Sequence, residues 1–94
     1  MDLLSDDDVR AGLEGTQWRH EGSEIVRDHK FGDFKEAMGF ANRIAEVAEE
    51  VNHHPDILVH GWNRVRLTLS THSEGGLTQA DLDLARRIDA LADG

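Results

Sequence analysis

The chain has 94 residues, with nineteen acidic side chains against ten basic ones and a net charge of -9; it fits one domain over residues 1–94 and repels phosphate backbones and anionic membrane surfaces. Neither nucleic acid nor membrane is therefore an expected partner, and the absence of cysteine excludes disulfides and thiolate ligands. The opening MDLLSDDDVR is acidic where a secretory signal needs positive charge, and no apolar run approaches the ~20 residues of a membrane span, so a soluble, cytoplasmic protein is expected.

Ser5 is an N-cap candidate with Asp6, Asp7 and Asp8 in the turn that follows, where carboxylates favour the positive end of a helix, which predicts a helix from Asp6 to about Leu13 ended by Gly12 or Gly15. Trp18, the turn signal Glu21-Gly22-Ser23 and the run Ile25 to Phe31 predict two antiparallel strands, with Ile25, Arg27, His29 and Phe31 on one face. Asp33 can cap a long helix to about Val51, since Phe34, Ala37, Met38, Ala41, Ile44, Ala45 and Ala48 recur at three- and four-residue spacing. Phe40 and Val47, with Ile44 and Val51, widen that stripe beyond what one sheet face needs, so the helix is either deeply buried or partly at a contact with a subunit or a foreign helix; plain core packing covers most of these residues. Pro55 stops the helix and biases His54 toward extended geometry. Ile57 to Val59 reads as a short strand, His60-Gly61 as a turn, and Val65, Leu67, Leu69 and Thr71 alternate with Arg66, Thr68, Ser70 and His72 along a last strand. After Gly75-Gly76, Thr78 and Asp81 resemble a capping box that starts a final helix, with Leu82, Ala85, Ile88 and Leu91 as its apolar stripe. The sum is an α+β sandwich: a four-stranded antiparallel sheet with helices packed on one face, in the order helix, strand, strand, helix, strand, strand, helix.

The chemistry concentrates between Glu49 and Asp81. His53, His54 and His72 converge from a helix end and a strand end, and imidazoles, which ordinarily titrate near 6.5, can supply both an acid and a base around neutral pH. Such a cluster suits a reaction that moves a proton and expels water. Duller roles exist for each member: His53-His54 as a solvated helix terminus, Asp81 as a capping carboxylate, Glu49 as an exposed helix residue. An open zinc site is a further alternative, yet the chain has neither a His-x-x-x-His pair nor the HExxH arrangement. His20, His29 and His60 are expected to be surface or strand residues.

Glu49, His53-His54-Pro55, Trp62, His72 and Asp81, in this order and spacing, resemble the signature of the pterin-4a-carbinolamine dehydratase family. The likeness extends to Trp18, to Phe31-Gly-Asp-Phe34, to Trp62-Asn63-Arg64-Val65, to Thr68-Leu69-Ser70-Thr71-His72 and to Gly75-Gly76-Leu77-Thr78, covering about Trp18 to Ile88. The resemblance implies an enzyme, without metal or organic cofactor, that dehydrates 4a-hydroxytetrahydropterin to the quinonoid dihydropterin in tetrahydrobiopterin recycling. It implies His53 and His72 as acid-base groups, His54 as a histidine that contacts or orients the pterin, and Glu49, Pro55, Thr71 and Asp81 as supporting residues. It also implies a homodimer or homotetramer, and a pterin-dependent aromatic amino-acid hydroxylase as a partner. The alternative it carries is a non-catalytic interaction module, a transcriptional co-activator or an assembly helper. Ile57, where many relatives carry an aromatic, and one extra residue before Trp62 mark departures at the pocket wall.

Overall fold

The computed structural model describes residues 2–93. In chain order it forms α1 (Asp6–Leu13), β1 (Arg19–Glu21), β2 (Glu24–Lys30), α2 (Phe34–Val51), β3 (Asp56–His60), β4 (Arg64–Leu69), a 3-10 turn (His72–Glu74) and α3 (Gln79–Asp93). The strands lie in the order β1-β2-β4-β3, each pair antiparallel. The expected α+β architecture and element order are therefore what the chain forms.

Local chemistry sets the helix ends. The Ser5 hydroxyl accepts the Asp8 N–H at 3.1 Å, and Asp33 accepts the Glu36 N–H at 2.7 Å while Glu36 accepts the Gly32 N–H at 3.0 Å. Side-chain acceptors at these places satisfy N–H groups that no helical carbonyl can reach. α2 ends at Asn52, whose N–H still makes a helical bond to the Ala48 carbonyl and whose left-handed φ of 54° turns the next N–H back toward it. The His53 N–H meets the same oxygen at 3.1 Å, so the first histidine is part of the helix's terminal turn.

Across the sheet, Ile25 pairs with Leu69, Arg27 with Leu67, His29 with Val65, and Ile57 and Val59 with Leu67 and Val65. Ile25, Val65, Leu67 and Leu69 join Phe40, Ile44, Val47, Leu82, Leu84 and Ile88 in the core, with Ile57 and Val59 packed against it and the His29 ring against Phe40. Arg27 enters this layer with its charge matched: it pairs with Asp89 of α3, which also accepts the Trp18 indole N–H at 2.8 Å. The opposite sheet face is largely wet and charged, with Asp28 bonded to Arg66 at 2.8 Å and to Arg19 at 3.2 Å. The Arg66 hydrogen bond is the main reason that the Asp28 carboxyl is held below the ordinary carboxylate value.

Three sequence expectations shift. Phe34 and Met38 are 55% and 37% exposed, and Ala45 is exposed too, whereas Phe40 is fully buried. At about 100° per residue, positions 34, 38 and 45 fall on a stripe roughly 100° round from the centre of the buried face. The last strand stops at Leu69, not at His72, because β3 begins opposite Thr68 and the β2 ladder ends with Ile25 opposite Leu69. Beyond it Thr71 alone bridges to Gly76, and His72 enters the 3-10 turn. Leu84, absent from the expected α3 stripe, is buried beside Leu82.

A buried carboxylate at the start of the last helix

Asp81 has no exposed surface, and a carboxylate taken out of water must be compensated by donors. It has three. Its Oδ2 accepts the Thr78 N–H at 2.9 Å and the Thr71 hydroxyl at 2.7 Å, and its Oδ1 meets His53 Nε2 at 2.6 Å. Asp81 is the third residue of α3, where the helix dipole also favours negative charge. The two oxygens of Asp81 thus face different partners: Oδ2 the start of α3 and the Thr71 hydroxyl, Oδ1 the imidazole. A carboxylate only accepts, so His53 presents Nε2–H and keeps Nδ1 as the nitrogen free to take a proton. The His53 side chain is 17% exposed, so the ring is reachable while its carboxylate is not.

Three separate segments supply this arrangement. His53 comes from the terminal turn of α2, and Thr71 from just beyond β4, where its N–H bonds the Gly76 carbonyl at 2.8 Å. Asp81 comes from α3. His54 stands apart from them: its Nε2 pairs with Glu49, four turns into α2, and both side chains are exposed, 55% and 76%. Pro55, half-buried, then turns the chain into β3. His72 is exposed and directly follows Thr71; among the described residues its ring makes no hydrogen bond to His53 or His54. The structure therefore joins His53, Thr71 and Asp81 in one network, gives His54 and Glu49 a surface pair of their own, and leaves His72 attached to the network through the backbone.

His53 also lines a cleft of about 560 Å³ between the end of α2 and α3, with Val51, Gln79, Ala80, Leu84 and Arg87 among its other walls. Arg87 is steadied by Glu50 at 3.3 Å. The α3 side of this cleft was not expected from the sequence, because polar residues at helical spacing look like any solvated face. A larger hollow of about 930 Å³ between α1 and β1 contains His20 as its sole histidine, and that ring is occupied with the Gly22 carbonyl at 2.9 Å. Of the two, only the smaller cleft is lined by a histidine of the Glu49–Asp81 stretch, His53; His54, His72 and Asp81 are not among its walls. Among the described residues, no group of three or more His, Cys, Asp or Glu side chains is arranged to hold a metal ion, and no helix is long and apolar enough to cross a membrane.

Fold and site together define a small α+β protein that keeps an imidazole, backed by a buried carboxylate, on the wall of a cleft between two helices. The family model for pterin 4 alpha carbinolamine dehydratase matches residues 2–91, and the chain belongs to that family. A relative from Natronomonas pharaonis, assigned as a pterin-4-alpha-carbinolamine dehydratase, is 45% identical over 92 residues and spans 98% of both chains. Another from Thermomicrobium roseum with the same assignment is 51% identical over 75 residues, 80% of each chain. Among solved structures, a transcriptional coactivator/pterin dehydratase from Brucella melitensis aligns with a TM-score of 0.90 at 36% identity, covering 97% of this chain and 99% of that one. A pterin dehydratase-like protein identified as a RuBisCO assembly factor in the alpha-carboxysome aligns with a TM-score of 0.69 at 30% identity, covering 83% and 92%.

Proposed function

We propose that the chain, working as one domain, is a hydro-lyase that dehydrates 4a-hydroxytetrahydropterin to quinonoid dihydropterin by histidine general acid-base catalysis. The observation that carries this reading is the His53–Asp81 pair, an imidazole whose tautomer is set by a fully buried carboxylate. In the reaction the C4a–O bond breaks as the oxygen is protonated and leaves as water, while a proton departs from a ring nitrogen. One proton is given and one taken, so a single neutral and a single protonated imidazole suffice and no redox partner is needed. His53 and His72 are the acid-base pair, His54 contacts or orients the pterin, and Glu49, Pro55, Thr71 and Asp81 support them. The enzyme acts as a homodimer or homotetramer in the cytoplasm, regenerating dihydropterin for a reductase after a pterin-dependent aromatic amino-acid hydroxylase has turned over.

Rapid-mixing absorbance of carbinolamine decay tests this. The wild type should exceed the spontaneous rate, and His53→Ala and His72→Ala should each lose about 10²-fold, the lower range for a general acid or base. A folded wild type that leaves the spontaneous rate unchanged would end the proposal.

A second reading, an interaction module, draws on the exposed Phe34 and Met38 stripe of α2 and on the assembly factor among the structural neighbours. Under it, Phe34→Asp would abolish the cellular phenotype and His53→Ala with His72→Ala would not. The opposite pattern selects catalysis.

A further inference from the structure

Thr78 stands immediately before α3, the position at which a threonine hydroxyl ordinarily accepts an N–H from the first turn of the helix. Here it does not. The Asp81 N–H meets the Thr78 carbonyl at 3.1 Å, and the Thr78 hydroxyl lies 2.8 Å from the hydroxyl of Thr71. The direction of that contact follows from proton counting. Thr71 has one hydroxyl proton and gives it to Asp81 Oδ2, and Asp81 as a carboxylate has none to give, so the proton between the two threonines is Thr78's. A directed chain results: Thr78 O–H to Thr71, Thr71 O–H to Asp81, and His53 Nε2–H to Asp81 from the other side. Thr78 and Asp81 have no exposed surface, so these two members are shielded from solvent, while Thr71 is half-buried and the His53 side chain 17% exposed.

We propose that Thr78 is a positioning residue for the His53–Asp81 pair: its hydroxyl orients Thr71 as a donor to Oδ2, which leaves Oδ1 as the sole acceptor facing His53 and holds the imidazole in the Nε2–H tautomer. Its consequence for turnover rests on the dehydratase reading; its consequence for the imidazole does not. Valine at 78 keeps the shape and deletes the donor. Thr71 would then rotate its proton freely between Asp81 and other directions, and Asp81 would lose orientation. Serine keeps the donor and loses a methyl group.

The test combines ring ¹⁵N NMR of His53 with dehydration kinetics on wild type, Thr78→Val and Thr78→Ser. Wild type and Thr78→Ser should show a single Nε2–H tautomer. Thr78→Val should show a mixed tautomer, with kcat lower by about tenfold and KM within about twofold, the usual scale for losing a partner that orients a functional ligand. A folded Thr78→Val that keeps the wild-type tautomer overturns the proposal, whatever its rate, because a fall in rate alone would mark a structural role. A mixed tautomer in Thr78→Val, beside a wild type that does not accelerate dehydration, would sustain the positioning role and remove the dehydratase reading. Should Thr78→Val not fold, the wild type decides: slowly exchanging hydroxyl protons on both threonines, with a nuclear Overhauser contact between them, support the chain, and a rapidly exchanging Thr78 hydroxyl refutes it.

Discussion

Asp81 and Glu49 are both carboxylates beside a histidine, and burial separates their weights. Asp81→Asn keeps the volume but turns an acceptor-only group into one that presents an N–H₂ to existing donors. Hydrogen bonds to charged buried groups are worth roughly 1.5–3 kcal/mol, so the substitution should lower stability in urea by about 2 kcal/mol and cut dehydration by about 10²-fold. Glu49→Gln should change stability by no more than about 0.5 kcal/mol, since an exposed pair is screened and costs side-chain entropy to hold. Equal losses in the two variants would contradict the burial argument. His53 and Asp81 are 28 positions apart, and sequence reading could nominate both but not join them. What it could not supply was the closing of Thr71 onto Gly76, which carries the Thr71 hydroxyl to the carboxylate.

Between elements, the close approach of α1 to α3 can be weighed directly. A Cβ at Gly12 would fall 2.5 Å from Leu82 Cδ1, and Leu82 is itself buried. Alanine gains about 1 kcal/mol in helix propensity, while overpacking a filled core costs typically 1–3 kcal/mol, so Gly12→Ala should lower the urea midpoint. A higher midpoint would mean that Leu82 moves aside at little cost. On the outer sheet face, the Asp28 carboxyl is held low chiefly by the Arg66 hydrogen bond, then assisted by Arg19. Because its folded value is the lower one, its contribution is present above the ordinary carboxylate value and is lost as the pH falls through the folded value. Asp28→Asn should therefore be less stable than wild type near pH 6, with the gap in melting temperature closing as the solution is acidified. With both partners half exposed the gap should be small. A gap that widened in acid would reverse the sign. The element pattern itself was readable because period-3.6 and period-2 stripes survive in the sequence. The phase of α2 was not: Phe34 and Phe40 look equally apolar, and only packing against the sheet shows which one is inside.

For the molecule as a whole, that phase decides how assembly can be probed. Phe40 belongs to the core, so Phe40→Asp should unfold the protein, at a cost beyond the ~3–5 kcal/mol of truncating a buried aromatic. Phe34→Asp should leave the fold intact, and on the proposed homo-oligomer, sedimentation should show a species smaller than the wild type, nearer the 10.5 kDa of one chain. Sedimentation of Phe34→Asp identical to a larger-than-monomer wild type would move the contact to another surface, and a wild type that itself sediments near 10.5 kDa would remove the proposed oligomer. Trp62, 63% exposed at a left-handed φ of 60°, lies at the tip of the β3–β4 hairpin, beside Asn63, which donates to the Phe31 carbonyl at 2.9 Å. The sequence marked Trp62 as distinctive without indicating that it would face solvent.

The double duty of Asp81 also bears on how such proteins diverge. A descendant released from any chemistry could discard the exposed His72 at little cost to folding, whereas losing His53 would strip a donor from a carboxylate that has no exposed surface. It could not so readily discard Asp81, which starts a helix that the core needs. Retention of the carboxylate is then accounted for by folding alone, and on the proposed dehydratase reading the exposed His72 is the position that discriminates.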